Sequence, residues 1–538
     1  MNDGRTSINI AQEHIGNGKT SLGIELGSSR IKSVLIGADH MPLAVGFHDW
    51  ENRFENGVWT YGLDDVWNGV RGSFKNLSDN VAEKYGVKLT TAASAGVSAM
   101  MHGYLPFDRS GELLVPFRTW RNTTTEAAAA RLTDAFRFNI PQRWSIAHLY
   151  QAILGGEEHV ERLEFFTTLA GYVHWKLTGE RVLGIGDASG MFPVDPETGG
   201  YNGRMIETFS DLIADKNYAW RLREALPAIV PAGVEAGKLT EEGALLLDPT
   251  GAFGAGVPFC PPEGDAGTGM VATNSIAPRT GNVSAGTSIF AMTVLERDLS
   301  AVYPEIDIVA TPCGDPVAMV HCNNCTTDLD AWVRLTDDLL KTFGCEVPKS
   351  ALYDKLYEAA LRGEPDCGGV VSVNYFSGEP VTGFTRGNPL LVRTPEARFD
   401  AANVMRSLLY SCMATLKIGM DILLKKEGVA LEKMLAHGGL FTSPVTAQRF
   451  MAAALGVPVA LMESAGEGGA WGIALLAAFS VRADKSESLA EFLNGRVFAG
   501  LTGSCLDPVA GDIEGFGAYM EKYKAGLAIE ETAVSLDF

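Results

Sequence analysis

The 538-residue sequence contains only eight cysteines, and none of them precedes Cys260. So few thiols in so long a chain cannot form a disulfide framework. One pair, Cys322 and Cys325 beside His321, has a spacing typical of zinc ligands. No second pair of cysteines or histidines follows in register, so we interpret these residues as buried thiols and not as a metal site.

An excess of basic residues is also lacking. The 44 lysines and arginines are outnumbered by 65 aspartates and glutamates, which gives a formal net charge of −21. A chain of this charge repels nucleic acids and anionic membranes, so we expect neither as a partner. A polyanionic substrate would need local cations or a metal ion to bind.

Long apolar runs and low-complexity segments are absent as well. The longest apolar stretches, such as 470–481, are shorter than a membrane span, and residues 1–20 lack the basic and then apolar plan of a signal peptide. The hydrophobic content of 46% is that of a globular protein. We therefore expect a cytoplasmic protein of two to four domains that begins with a polar, mobile leader at 1–20.

The stretch that is most informative lies near the start, at 22–36. Two apolar, β-prone runs flank Gly27, Ser28 and Ser29, which predicts a hairpin with a tight turn. Backbone N–H groups and hydroxyls in such a turn can hold a phosphate, and Glu25 and Lys32 place both signs of charge beside it. An ordinary hairpin would give the same pattern.

A second stretch repeats this plan about half a chain later. Strand, turn and strand recur at 281–295, with Gly286, Thr287 and Ser288 in the turn. An element that recurs at this distance suggests two similar domains, each with a phosphate-binding hairpin facing a cleft between them. Coincidence is the alternative, because Gly-Thr-Ser is a common tripeptide.

Two segments between the hairpins have the composition of a sugar site. Met101 and His102 follow a predicted strand at 92–98, where polar groups can line the end of a sheet. Trp120 and Asn122 place an aromatic ring beside an amide, a combination that can bind a polyol. His102 could equally be a satisfied core histidine, and Trp120 could be plain core.

Asp265 follows a pair of prolines and begins a predicted helix that continues through Val271. It could cap that helix, a role that aspartate fills well. Alternatively, it could be a carboxylate placed as a general base, which the helix dipole would keep ionised. Further on, Gly438 and Gly439 stand where a strand changes to a helix, and there they could admit a nucleoside or form a plain tight turn.

Hydrophobic periodicity predicts the remaining elements. A loop is expected at 187–190. Beyond the third strand at 42–47, helical spacing is found at 64–85, 125–136, 145–177, 328–343, 401–425, 444–456 and 516–527. In the helix at 328–343, Leu329, Trp332, Leu339 and Phe343 are expected to face the core.

Taken together, these segments resemble the FGGY carbohydrate kinases, and within that family the pentulose kinases. The resemblance extends over about 21–480. The matching segments are 23–32 and 286–288 for the two phosphate motifs, 438–439 for the adenosine motif, 264–266 for the segment of the catalytic aspartate, and 101–103, 120–122 and 187–190 for segments of the xylulose kinases.

The resemblance implies an α/β fold of two ribonuclease H-like domains, of the actin, hexokinase and Hsp70 superfamily, around a central cleft. The domains would span 21–275, with the sugar site, the first hairpin and the catalytic aspartate, and 276–538, with the second hairpin and the adenosine site. A homodimer is the assembly that the resemblance suggests. The sequence departs from the family at Glu25, where Asp is usual, at His437, where a small residue is usual, and at Thr123, where Arg or Lys is common.

The resemblance and the residues together predict an ATP-dependent kinase that phosphorylates a primary hydroxyl of a ketopentose, xylulose or ribulose, to give the 5-phosphate and ADP. Asp265 would be the catalytic base and Glu25 would hold Mg²⁺. Sugar contacts are expected from Met101, His102, Trp120, Asn122 and Asp265, and ATP contacts from Gly27, Ser28, Ser29, Lys32, Gly286, Thr287, Ser288, Gly438 and Gly439. The alternatives are a kinase of erythritol, glycerol or gluconate, and a non-catalytic, actin-like nucleotide switch.

Overall fold

The computed structural model describes residues 2–462, 468–501 and 503–536. The chain divides into two compact units. Unit 1 comprises Met1–Ile276, Ile308–Val317 and Gly466–Leu501, and unit 2 comprises Ala277–Asp307, Ala318–Ala465 and Thr502–Phe538. The predicted domains differ from these units in that the two later segments of unit 1 were assigned to the second domain.

Within the described ranges, the strands are β1 (Ser21–Leu26), β2 (Arg30–Ile36), β3 (Pro42–Asp49), β4 (Arg53–Glu55), β5 (Val58–Thr60), β6 (Ser94–Ala99), β7 (Leu105–Phe107), β8 (Phe165–Thr167), β9 (Val182–Gly184), β10 (Ala228–Val230), β11 (Glu263–Gly264), β12 (Thr280–Ala285), β13 (Ile289–Val294), β14 (Asp307–Ala310), β15 (Pro316–Cys322), β16 (Val370–Val373), β17 (Leu390–Arg393), β18 (Lys433–His437), β19 (Val459–Met462) and β20 (Gly503–Leu506).

The α-helices of the same ranges are α1 (Asn2–Gly16), α2 (Leu63–Tyr85), α3 (Glu126–Phe136), α4 (Ser145–Gly155), α5 (Leu169–Thr178), α6 (Ile185–Ser189), α7 (Gly203–Leu212), α8 (Leu222–Ala225), α9 (Glu241–Leu247), α10 (Asp265–Ala272), α11 (Thr326–Thr342), α12 (Lys349–Ala360), α13 (Ala401–Asp421), α14 (Pro444–Leu455), α15 (Gly468–Ser480), α16 (Leu489–Phe492) and α17 (Ala510–Ser535).

The sheet of unit 1 has the order β11-β6-β1-β2-β3. β1 is antiparallel to β2 and parallel to β6. Alternate residues of β1 face opposite sides of the sheet. Leu22, Ile24 and Leu26 belong to the same buried cluster as the apolar face of α2. A Cβ atom at Gly23 would lie 2.1 Å from the carbonyl oxygen of Ala470, so the opposite side is covered closely by α15.

The sheet of the second hairpin has the order β14-β15-β13-β12-β18-β19-β20. β12 is antiparallel to β13 and parallel to β18, as β1 is to β2 and β6. The predicted repetition of the hairpin is therefore confirmed, and the parallel strand beside each hairpin extends it beyond what the sequence predicted. In unit 2, α17 returns onto the core through Phe516, Tyr519 and Tyr523, which are all buried.

One helical stretch in the described part of the chain, Ala401–Lys426, is long and apolar enough to span a membrane by length and composition. Of its most apolar window, 72% is buried within the protein. Burial of this kind is also found in the core helix of a globular domain.

Four sequence predictions about local structure are wrong. The leader forms α1, which packs through Ala11 and Ile15 because these residues lie four positions apart on one helical face. The segment at 187–190 is not a loop, since α6 extends over most of it. The helical run at 145–177 is interrupted by β8. Of the residues expected to face the core near α11, Leu329 is buried, but Leu339 and the capping residue Phe343 are 52% and 81% exposed.

Candidate active site

The first predicted turn joins β1 to β2 and is closed by a hydrogen bond from the Gly27 N–H to the Arg30 carbonyl (3.0 Å). Glu25 and Lys32 are directly opposite in the register of the two strands. Residues in such a pair extend from the same face of the sheet. The hairpin therefore places one carboxylate and one ammonium group beside the turn, as the sequence predicted.

Two aromatic residues fix the conformation of this turn. The Trp50 indole N–H donates to the Gly27 carbonyl (2.7 Å), and the Tyr61 hydroxyl donates to the Ser28 carbonyl (2.6 Å). The Trp50 backbone N–H donates to the Ser29 carbonyl (3.1 Å). With these carbonyls occupied, the exposed Ser28 and Ser29 hydroxyls have no hydrogen-bond partner among the described residues. The turn thus offers donors and not acceptors to an anion.

The Glu25 carboxylate lies at the N-terminal turn of α15. Its Oε2 accepts the Ala470 N–H (3.0 Å), and a Cβ atom at Gly469 would lie only 2.3 Å from its Oε1. Burial raises the pKa of Glu25 to about 7, and the charge of Asp265 adds to that rise. Lys32 and the Ala470 amide act in the opposite direction. A cation bound at this carboxylate would relieve its cost of ionisation.

Asp265 is the first residue of α10, and Gly264 occupies the cap position. Asp265 is therefore not the N-cap of this helix, one of its two predicted roles. Its Oδ1 accepts the Met101 N–H (3.2 Å). Burial raises the pKa of Asp265 to about 6, against the lowering effect of the Met101 and Ala266 amides. At neutral pH the carboxylate is mostly ionised and can accept a proton.

Met101 and His102 follow β6 and lie beside Asp265, as the Met101 contact shows. Both side chains are buried. His102 has a φ of +68°, and its ring stacks on Trp144 at a centroid distance of 6.1 Å. Its Nδ1 lies 3.1 Å from the Gly190 carbonyl oxygen. The structure brings these predicted sugar-site residues together with the predicted base.

Trp120 and Asn122 both contact other residues of unit 1. Asn122 accepts the Trp59 N–H (2.8 Å) and donates to the carbonyls of Trp59 (2.8 Å) and Thr119 (3.0 Å). Both N–H groups of its amide therefore have partners within unit 1, one of them in β5, and the assignment of Asn122 to the sugar site stays a prediction. Trp120 is partly buried against the apolar core of unit 1, in line with its alternative interpretation.

Two buried carboxyl groups near Asp265 were not predicted as site residues from the sequence. Glu263 is 1% exposed and Asp187 is fully buried. Burial raises the pKa of Glu263 to about 8 and that of Asp187 to about 7. The signal for Glu263 was an acidic residue within an otherwise apolar run at 257–264, whereas Asp187 was noted only through the family resemblance.

The second predicted turn joins β12 to β13 in unit 2. Its carbonyls are also occupied, because Gly286 accepts the Thr326 N–H (3.1 Å) and Thr287 accepts the Cys325 N–H (3.0 Å). The Gly286 N–H donates to the Ser288 carbonyl (2.9 Å). Thr287 is exposed. This turn therefore resembles the first one in how its backbone is held.

Gly438 and Gly439 lie beside the second turn. His437 pairs with Ser284 across β18 and β12, and Gly438 follows with a φ of +103°. A Cβ atom at Gly438 would lie 2.4 Å from the Ala285 carbonyl oxygen, whereas one at Gly439 would meet nothing within 4 Å. Glycine is therefore required at 438 by the positive φ and the nearby carbonyl, whereas the position of a Cβ atom at 439 is open space. Unit 2 thus brings all its predicted nucleotide-binding residues together.

A buried pair that the sequence did not reveal supports the second turn. Oε2 of Glu379 accepts the backbone (3.2 Å) and side-chain (3.0 Å) N–H groups of Asn324. Asn324 directly precedes Cys325 and Thr326, which donate to the turn. The other carboxylate oxygen, Oε1, is buried and has no hydrogen-bond partner in the described chain. Cys322 and Cys325 are buried thiols, as predicted.

The Glu379 carboxyl should make stability depend on pH. Burial raises its pKa from 4.5 to about 7, so the folded state loses stability as pH rises through that range. The Glu379→Gln variant has no such group. We expect its free energy of unfolding, relative to the wild type, to increase between pH 4.5 and 7 by up to about 3 kcal/mol.

Urea denaturation of both proteins across this pH range measures the difference. Glu396→Gln, at an exposed position, controls for the loss of a surface charge. A difference between Glu379→Gln and the wild type that does not vary with pH would contradict the assignment.

Within the described residues, no group of three or more His, Cys, Asp or Glu side chains could hold a metal ion. A site built wholly from protein ligands is therefore not formed in that part of the chain. Mg²⁺ commonly takes only one or two carboxylates and completes its shell with water and phosphate oxygens. Glu25 fits that pattern, because its partly exposed carboxylate carries an unfavourable charge in this environment.

Comparison with solved structures finds proteins of the same fold. A xyloylose kinase from Brucella ovis has a TM-score of 0.76 and 18% identity, with 96% of this chain and 100% of that chain covered. A xylulose kinase from Lactobacillus acidophilus has a TM-score of 0.78 and 16% identity, with 96% and 99% covered. A gluconate kinase from Lactobacillus acidophilus has a TM-score of 0.77 and 15% identity, with 96% and 99% covered.

No curated protein matches the chain at the level of sequence. The fold is the two-domain α/β fold of the actin and hexokinase type that the sequence predicted. Residues 281–481 match the C-terminal domain of the FGGY family of carbohydrate kinases. These findings agree with the two hairpins, the paired glycines and the placement of Asp265, and over residues 281–481 they show the chain to be similar to the FGGY family of carbohydrate kinases.

Proposed function

We propose that the chain is an ATP-dependent carbohydrate kinase, which phosphorylates a primary hydroxyl of a ketopentose, xylulose or ribulose, and forms the sugar 5-phosphate and ADP. The observation that carries the proposal is the hydrogen bond between Asp265 and the Met101 amide, beside His102. It places a partly exposed carboxylate next to a segment that resembles the sugar site of xylulose kinases.

Asp265 would accept the proton of the sugar hydroxyl as that oxygen attacks the γ-phosphate of ATP. Its position at the first residue of α10 and its two amide donors hold it in the ionised form. Its raised pKa, about 6, lies closer to the working pH than that of an ordinary aspartate, which favours proton transfer.

The N–H and hydroxyl donors of Ser28 and Ser29 would bind phosphate oxygens, as would Lys32 through its charge. Glu25 would hold Mg²⁺, which when bound neutralises charge on the phosphates of ATP. Glu25 is one methylene longer than the usual aspartate, so the carboxylate reaches further from β1. In unit 2, Thr287 and Ser288 would bind phosphate.

Gly286, Gly438 and Gly439 would allow the nucleotide to approach the backbone of unit 2 closely. The open space above Gly439 supports this assignment, since a side chain there would meet nothing of the protein itself. Gly438 contributes by allowing the chain to turn beside β12.

A panel of sugars tests the proposal. ADP release should be fastest with xylulose or ribulose, and their kcat/KM should exceed that of glycerol by roughly 10²-fold or more. The reason is that a site whose polar groups bind substrate hydroxyls rejects a shorter substrate, because some of the site's polar groups are then left unpaired. Erythritol, glycerol and gluconate in the same panel serve as comparisons.

Equal turnover of glycerol would remove the ketopentose assignment and leave the kinase in place. Nucleotide binding without any sugar-dependent ADP release would favour a non-catalytic switch, the rival from a different class of protein. Such a switch would have no use for a carboxylate placed as a base beside a segment that resembles a sugar site, which is why we favour the enzyme.

A further inference from the structure

Glu263 stands two residues before Asp265, on the short strand β11. Its Oε2 accepts the Asp187 N–H (2.9 Å), and its Oε1 accepts the Gly186 N–H (3.3 Å). The Gly184 N–H also donates to the Pro262 carbonyl (2.8 Å). The segment that leads into Asp265 is therefore tied to the N-terminal turn of α6.

Two glycines leave room for this carboxylate. A Cβ atom at Gly184 would lie 2.1 Å from Oε1 of Glu263, and one at Gly186 would lie 2.4 Å from Oε2. Any side chain at either position would push the carboxylate away. Gly184 and Gly186 at the start of α6 are therefore needed to accommodate the Glu263 carboxylate.

The other end of α6 is tied to His102. The Gly190 carbonyl can only accept, so the bond of 3.1 Å places the proton on Nδ1 of His102. A Cβ atom at Gly190 would lie 2.7 Å from Nδ1, so this contact also depends on a glycine.

These contacts form a closed ring. Asp265 binds the amide of Met101, and His102 follows Met101 and binds the end of α6. The start of α6 binds Glu263, and the chain returns through Gly264 to Asp265. α6 is itself held in the core, because the Thr168 hydroxyl donates to the Asp187 carboxylate (2.6 Å).

We infer that Glu263 is a positioning residue, which acts through α6 to set the distance between the Asp265 carboxylate and the His102 ring. This inference rests on the proposed function, in which Asp265 deprotonates a hydroxyl of the sugar and His102 contacts the same sugar.

The test compares Glu263→Gln with the wild type. The amide keeps one acceptor but places an N–H₂ group against a backbone N–H, so the segment before Asp265 shifts. A displacement of about 1 Å at a reacting group can cost roughly 10²-fold in rate. We expect kcat to fall by up to that factor while the KM for ATP stays unchanged.

A double-mutant cycle separates positioning from stability. If Glu263 acts through Asp265, Glu263→Gln should cost little further rate in the Asp265→Asn background. Asp248→Asn is the matched control, because Asp248 also accepts several backbone N–H groups of unit 1 but lies in a different loop, after α9. It should lower the melting temperature and leave kcat alone.

An equal loss of rate in both backgrounds, or a lower melting temperature with unchanged kcat, would overturn the inference. If Glu263→Gln fails to fold, Gly184→Ala displaces the same carboxylate without removing it, and the same fall in kcat is expected. If the wild type turns over no sugar at all, the proposed function fails first, and this inference fails with it.

Discussion

Asp265→Asn should lower kcat on the best ketopentose by roughly 10²- to 10⁴-fold, or about 3 to 5 kcal/mol of barrier, because it removes the acceptor for the sugar proton. Asparagine keeps the size of the side chain and an oxygen for the Met101 N–H. Nucleotide affinity should be nearly unchanged, since the residues proposed to bind ATP are untouched.

The stability of this variant follows from the pKa of the wild-type carboxyl. Because burial raises that pKa from 3.8 to about 6, the wild type loses stability as pH rises through this range, and the neutral amide does not. Asp265→Asn should therefore melt at the same temperature as the wild type, or higher, above pH 6. Early melting with an intact kcat would show that Asp265 is only a structural residue.

Gly438→Ala should destabilise the protein, whereas Gly439→Ala at the neighbouring position should not. The first forces a Cβ atom to within 2.4 Å of a backbone oxygen at a φ of +103°, so we expect the free energy of unfolding to fall by about 2 to 5 kcal/mol. The second meets nothing within 4 Å and should leave the melting temperature unchanged.

Binding of ATP distinguishes the two glycines further. Gly439→Ala should weaken ATP binding, measured by calorimetry, if the nucleotide lies against that backbone. If Gly439→Ala binds ATP as well as the wild type does, the adenosine assignment at this position is wrong. Each glycine serves as the other's control, because the chemical change is the same.

The sequence predicted most of the fold because its strongest signals are local. The turn at 27–29 and the apolar positions of α2 depend on spacing within a few residues, and the structure confirms both. The failures depend on partners elsewhere. α1 was read as a mobile leader because its two core contacts, Ala11 and Ile15, are few among polar neighbours.

The candidate site was predicted in part for the same reason. Asp265 and the two turns were visible as local motifs, although their roles stay predictions. Glu263 and Glu379 were missed, since a buried carboxylate is recognised only by what surrounds it, and their partners lie 76 and 55 residues away in the chain. The hydrogen bonds of Asn122 were also not foreseen, because composition cannot show that an amide is already bonded.

The contact between Glu25 and Ala470 has a consequence for how unit 1 is made. The two residues are 445 positions apart, and α15 covers one face of the sheet that contains β1. At roughly 5 to 20 residues per second, a ribosome needs tens of seconds to supply α15 after β1 has emerged. During that interval the nascent sheet has one uncovered face. Unit 1 is the first to begin synthesis, yet it cannot complete its core until most of unit 2 has been translated.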